Sequence, residues 1–355
     1  MNQPNNVTEN VVSVFGCSQA GCENNGYESM NGSEIVCILE PQPDDYLSTW
    51  VLPCVYSIIF LLALIGNGLV CFVVLSSPRM KTVTNFFIMS LAVGDILMTL
   101  FCIPFTFVST LILRYWPFGE LMCTLVTYSQ AVSVLVSAYT LSTISVDRCF
   151  VITRPLKPRI EKKTAKLVIY TVWGGALATA APILIVSQLE KPSLWHQVCD
   201  LYVCSEKWTY PGQNEHYTCA LLILQFALPL TTLIFSYGCM AYKVCNERPP
   251  GEADIVRDMR IHQSKRKMIK MMITIVVIFA VCWLPLNIFN LLYKAHEYDD
   301  YRGRRPRMPY GWFISHCLAM SHSCFNPIIY CYMNERYRRE FVQKNNDKAI
   351  KPVIQ

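Results

Sequence analysis

Charge is what this sequence has least of. Asp, Glu, Lys and Arg make up 16% of its 355 residues, against 53% hydrophobic residues and a mean hydropathy of +0.30. Soluble domains carry about a quarter charged residues, so a soluble globular protein is excluded and a membrane protein indicated. The first 49 residues contain no Lys or Arg at all. The opening, MNQPNNVTENVVSVFG, lacks a cationic stretch followed by an apolar core, so no cleavable signal peptide is expected. The net charge of +6 sits in short basic runs beside apolar segments rather than on one face, which argues against nucleic acid as a partner. No internal repeat and no catalytic constellation is present, so neither an inverted-repeat transporter nor an enzyme is expected. Seventeen cysteines are many, but most stand inside apolar runs, where Cys acts as a small hydrophobe. The exceptions are Cys17, Cys22, Cys37, Cys123, Cys199 and Cys204.

The chain divides into three parts. Residues 1–49 are polar and acidic and hold two glycosylation triplets, at Asn6 and Asn31, which fits an extracellular tail. Residues 50–333 hold seven apolar segments, at about 50–76, 85–112, 119–147, 163–187, 217–244, 266–294 and 310–332, each long enough to span a bilayer. The linkers after the first, third and fifth segments are basic, as is the final tail. By the positive-inside rule these face the cytoplasm and the N-terminus faces out. RGRR at 302–305 breaks the trend. The linker at about 245–265 contains Pro249, Pro250 and Gly251 and is expected to be mobile. Residues 334–355 begin with NERYRREF, an amphipathic helix suited to the inner surface of the lipid bilayer.

The third segment organises the rest. Gln130, Val134, Ser137, Leu141, Ile144 and Arg148 are spaced four, three, four, three and four apart, on one helical face. From Gln130 to Arg148 the helix rises about 27 Å, close to the hydrocarbon thickness. Asp95 stands inside the second segment, where an ionisable side chain is costly and signals function. Asn67, Ser137, His322, Ser323 and Asn326 lie at similar depth. A carboxylate with hydroxyl and amide oxygens suits a sodium ion completed by water, or else a hydrated hydrogen-bond network without an ion. Pro104, Pro182, Pro229, Pro285 and Pro327 interrupt the spans, and CWLP (282–285) and NPIIY (326–330) read as hinges.

GN (66–67), LAVGD (91–95), DRC (147–149), Trp173, Pro229 with Tyr237, CWLP and NPIIY follow in order, one set per apolar segment. Over about residues 50–343 the chain resembles the rhodopsin-like G-protein-coupled receptors. The resemblance implies an all-α bundle of seven transmembrane helices in the plasma membrane, with a heterotrimeric G protein and arrestin as partners and no cofactor beyond an allosteric sodium at Asp95, Ser137, Ser323 and Asn326. It implies that Arg148 leaves Asp147 on activation while the sixth helix swings about Pro285 beneath Trp283. Tyr237, Asn326, Pro327 and Tyr330 would then shape the open inner cavity. Two departures stand out: DRC replaces the usual DRY, and Lys265 stands where some members carry an acid that locks the Arg. The resemblance also gives an exterior disulfide from Cys123, with Cys204 as partner and Cys199 as competitor.

The third span has no acid between Cys123 and Val146, which argues against an amine ligand. The seventh has no Lys to hold retinal. Neutral amides stand instead toward the outer ends, Gln130, Gln225 and Asn290, with His316 on the seventh span. Amides both donate and accept and so match a carboxamide. Together with Thr106, Trp283, PLKPRI (155–160) and YVCSEKW (202–208), the set resembles the neuropeptide Y receptor branch and its RYamide-type relatives, whose ligands are amidated neuropeptides ending in Arg-aromatic-amide. Lys294 stands where that branch offers an Asp to the ligand Arg, leaving Glu206, Glu215 and Glu297 as candidates. A tachykinin-like or RFamide peptide is the alternative ligand, and a cation-coupled transporter the alternative class.

Overall fold

The computed structural model describes residues 27–30, 34–37, 50–154, 158–192, 194–246, 255–297, 310–333 and Arg339. The triplets at Asn6 and Asn31, and the stretch 334–341 apart from Arg339, lie outside these residues. Seven long helices follow a small antiparallel hairpin, β1 (Tyr27–Met30) and β2 (Glu34–Cys37). They are α1 (Leu52–Ser76), α2 (Val83–Phe101, running on to Ile112), α3 (Gly119–Thr153) and α4 (Lys162–Ala180, running on to Val186). Then come α5 (Gln213–Leu222 continuing through Leu228–Asn246), α6 (Ile255–Glu297) and α7 (Tyr310–Met333). Six of the seven contain a stretch long and apolar enough to cross a membrane. In α7, His316, Ser321, His322, Ser323 and Asn326 take positions that would otherwise be apolar.

α6 corrects one expectation. The linker expected to be mobile over about 245–265 is helical from Ile255 onward. Between Gly251 and the apolar portion the sequence has no Gly or Pro, and Arg, Met, Gln and Lys are good helix formers, so the helix outruns its apolar portion by several turns.

Burial shows why α3 is central. Val132 to Ala138, seven consecutive residues, are all buried, so neighbours cover every side of the helix there. α3 packs against α2, α4 and α5, while α7 closes the ring between α6 and α1. α1 is different. Tyr56, Ala63, Asn67 and Val70 face inward, while Ile58, Leu61, Leu62, Ile65, Phe72 and Leu75 are exposed and apolar, a face that lipid would cover.

The prolines act locally. In α2 and α5, Pro104 and Pro229 adjoin wide π-type turns at Phe107–Ile112 and Ile223–Ala227. In α7, Pro327 has no N–H to give the Ser323 carbonyl four residues back. The Asn67 side-chain amide donates to that carbonyl instead, at 2.9 Å, and also to Ala63 O at 3.0 Å. Gly66 lets the helices come this close: a Cβ there would stand 3.0 Å from the Pro327 ring.

This contact gives a test. Gly66→Ala is expected to destabilise the protein by about 1–3 kcal/mol through overpacking. Gly68→Ala, whose Cβ would meet nothing within 4 Å, serves as the control. Thermal unfolding in detergent should show a lower midpoint for the first and not the second.

Candidate functional site

Three polar stations lie along α3. At one end the Cys123–Cys204 disulfide ties α3 to a hairpin of β3 (Ser187–Glu190) and β4 (Val203–Glu206). Cys199, the sequence competitor, is disulfide-bonded elsewhere. Trp116 N donates to Tyr202 O at 2.6 Å and Lys207 N to Val186 O at 2.7 Å, so the hairpin is fixed on both sides. Lys191 donates to Asp200 at 2.5 Å and sits 4.7 Å over the Tyr202 ring. That ion pair holds the Asp200 carboxyl below the usual carboxylate range and the Lys191 ammonium above its own. Both groups are solvated, so the pair orders the loop without adding much stability.

The polar residues picked from the sequence are distributed over the helices and the hairpin. Gln130, Gln225 and Thr106 are half-buried, and Asn290 is exposed two turns from buried Trp283 on the same helix. Gln225 falls within the wide turn of α5, which shifts its direction relative to a regular helix. Among the described residues none of the three amide side chains has a hydrogen-bond partner. Glu206, at the end of β4, is exposed and accepts from Trp208 Nε1 at 3.2 Å. Glu215 is exposed in the first turn of α5; the side chains of Lys294 and Glu297 lie outside the described set. His316 is placed differently from the others. It is 2% exposed, with Nδ1 2.8 Å from Tyr56 Oη and Trp312 stacked on its ring at 4.7 Å, so it faces α1 and α2 rather than open space.

The second station is at mid-depth. Asp95 is fully buried. Asn326 Nδ2 donates to it at 2.9 Å, and the Ser137 and Ser323 hydroxyls at 3.3 Å each. Gly94 leaves room for α3, since a Cβ there would lie 3.2 Å from Val136. Beside this cluster Phe226, Phe279, His322 and Trp283 form a run of ring contacts 5.5–6.5 Å apart. Trp283 Nε1 and His322 Nε2 are buried without a hydrogen-bond partner among the described residues.

The third station is the Asp147–Arg148 end. Arg148 donates to Asp147 from Nε at 3.0 Å and from a second nitrogen, and to Thr84 Oγ1 at 2.6 Å. One turn up, Ser145 Oγ and Tyr237 Oη are 2.6 Å apart. Tyr330 is buried on α7. Thr84, Ser145 and Tyr56 were missed from sequence. Each is an ordinary helix residue whose significance lies in its neighbour on another helix, and spacing within one helix does not report that.

The comparisons with known proteins agree with this geometry. Residues 66–330 match the family model of the 7-transmembrane receptor (rhodopsin family). The chain is similar to the RYamide receptor of Drosophila melanogaster, 56% identical over 289 residues. It is also similar to the RYamide receptor of Tribolium castaneum, 48% over 295 residues, and to the neuropeptide Y receptor type 2 of Mus musculus, 36% over 299. These matches cover 81%, 81% and 82% of this chain and 61%, 78% and 75% of those proteins.

The Ser145–Tyr237 pair supplies a second test. Ser145→Ala alone strands a buried phenol and should cost about 1–3 kcal/mol, whereas Ser145→Ala with Tyr237→Phe removes both partners and should cost less than the single change. Thermal unfolding of the two variants decides it.

Proposed function

Because the chain belongs to the rhodopsin family of seven-transmembrane receptors, we propose that it binds an amidated neuropeptide of the RYamide or neuropeptide Y kind and passes the event to a heterotrimeric G protein. The carrying observation is the set of three neutral amides without a hydrogen-bond partner among the described residues, Gln130, Gln225 and Asn290, on α3, α5 and α6. A terminal carboxamide carries both donors and an acceptor, and amide side chains can satisfy all of them without adding charge. The identity to RYamide receptors points the same way.

In this reading the disulfide end is extracellular and the Asp147–Arg148 end cytoplasmic, in agreement with the basic linkers. Glu206, exposed at the rim, receives the ligand Arg that Lys294 would repel. Thr106 lines the wall and Trp283 the floor. Binding favours the state in which α6 pivots at Pro285 and Arg148 exchanges Asp147 and Thr84 for the G protein, with Tyr237 and Tyr330 holding the cavity open. Arrestin uses the same cavity. Asp95, Ser137, Ser323 and Asn326 hold a sodium ion in the resting state. Their donor set fits a hard cation, because a carboxylate, two hydroxyls and an amide oxygen (once Asn326 turns its amide) are all oxygen ligands.

Lys294 favours one second reading, an amidated peptide with a different penultimate residue. A panel of amidated and free-acid peptides on cells expressing the chain separates these: amides should act and free acids fail, and replacing the penultimate Arg by Ala should abolish the response only under the first reading. Gln130→Ala is expected to weaken amidated agonists by about 1–3 kcal/mol through loss of a buried hydrogen bond; an unchanged dose-response would remove Gln130 from the site. For sodium, agonist affinity should fall as NaCl replaces N-methylglucamine chloride at constant ionic strength. Asp95→Ala should be insensitive to the exchange.

A further inference from the structure

Three soft donors meet where α2 and α7 cross near the disulfide end. Cys102 Sγ lies 3.5 Å from Met320 Sδ and 3.9 Å from His316 Nε2. His316 and Met320 are four residues apart on α7, on one face. All three side chains are buried, at 0%, 2% and 1% exposure. The other ring nitrogen of His316 is held by the Tyr56 hydroxyl at 2.8 Å, and Trp312 covers the ring.

We propose that Cys102, His316 and Met320 form a buried binding site for a monovalent soft metal ion, Cu(I). Donors about 2.0–2.3 Å from a shared ion in a trigonal set stand roughly 3.5–4 Å apart, and the two separations from Cys102, to Met320 and to His316, fall in that range. A thiol, a thioether and an imidazole select copper(I) over calcium, magnesium or sodium, and the thioether disfavours zinc. Charge supports the monovalent state. On binding, the Cys102 thiol releases its proton to solvent and its sulfur bonds copper, which stays Cu(I). Thiolate and ion then sum to zero, whereas a divalent ion would leave a net positive charge buried among apolar helices. Tyr56 fixes the orientation of His316 from outside the donor set, as partners of metal-bound imidazoles do. The ion would bond α2 to α7 directly and hold α1 through Tyr56.

The test uses the full chain in lipid nanodiscs. Accessible thiols such as Cys54, Cys219 and Cys331 are first capped with a polar maleimide. Cu(I) is then supplied with ascorbate, and a competing chelator sets the free concentration. The expected result is one copper retained per receptor, with an X-ray absorption shell of one nitrogen and two sulfurs and a raised unfolding midpoint. Met320→Leu keeps the side-chain volume; it should lose one sulfur from the shell and more than about tenfold in affinity. Cys102→Ser should lose the copper. No copper retained after capping, or an unchanged shell and affinity in Met320→Leu, would overturn the proposal. The shift in unfolding midpoint on adding copper, read against each protein without copper, separates a lost site from a misfolded variant.

Discussion

Inside a bilayer no water is present to satisfy a backbone group, and the whole architecture follows from that constraint. Seven helices meet it with their own ladders, and the interesting residues are those that repair a break. Pro327 breaks the ladder of α7 at Ser323, and Asn67 of α1 restores the missing donor. The repair needs α1 close, and Gly66 provides the space against the proline ring. GN in one span and NP in another are therefore one device split across the sequence. Ser323 serves twice, its carbonyl held by Asn67 and its hydroxyl directed at Asp95. The kink in α7 and the carboxylate cluster are thereby joined through one residue.

α3 then gives the bundle its direction. Its middle is buried on all sides, so side chains there meet partners from opposite walls. Ser137 reaches Asp95 of α2, and Ser145, two turns on, reaches Tyr237 of α5. Arg148 is satisfied by Asp147 on its own helix and by Thr84 of α2. These links are short and directional, and all but the Arg148–Asp147 pair join two helices. A displacement of α5 must break the Ser145–Tyr237 contact and one of α7 the Ser323–Asp95 contact, which gives discrete alternatives instead of a continuous drift.

Much of this was legible in the sequence, for identifiable reasons. The seven spans emerged because apolar runs of about 20 residues have few alternatives, and the heptad-like row from Gln130 to Arg148 does share a face whose central members are buried. Asp95, Ser137, Ser323 and Asn326 could be grouped because each is polar at a depth where polarity is expensive. The true start of α6 was hidden: helix extends past the apolar edge when the polar residues beyond it are good helix formers. The position of His316 was hidden too. Its spacing from Ser323 placed it on the inward face of α7, but inward includes α1 and α2 as well as α3 and α6. Only the packed structure shows Tyr56 as its partner.

The amides near the disulfide end carry a selective argument that depends on charge. Gln130, Gln225 and Asn290 stand on apolar spans, where bringing in a carboxylate would cost its hydration and none of the three side chains is a cation that could offset that loss. A carboxamide loses far less and finds donors and acceptors to match. Glu206 and Glu215 are exposed acids nearer the hairpin, and in the proposed reading a cationic residue would meet them without leaving water. A ligand that fits both layers is neutral at its tip and positive just behind it. In the proposed reading that is the pattern of an amidated peptide with an Arg before its last residue, the ligand class to which the similarity with RYamide receptors points.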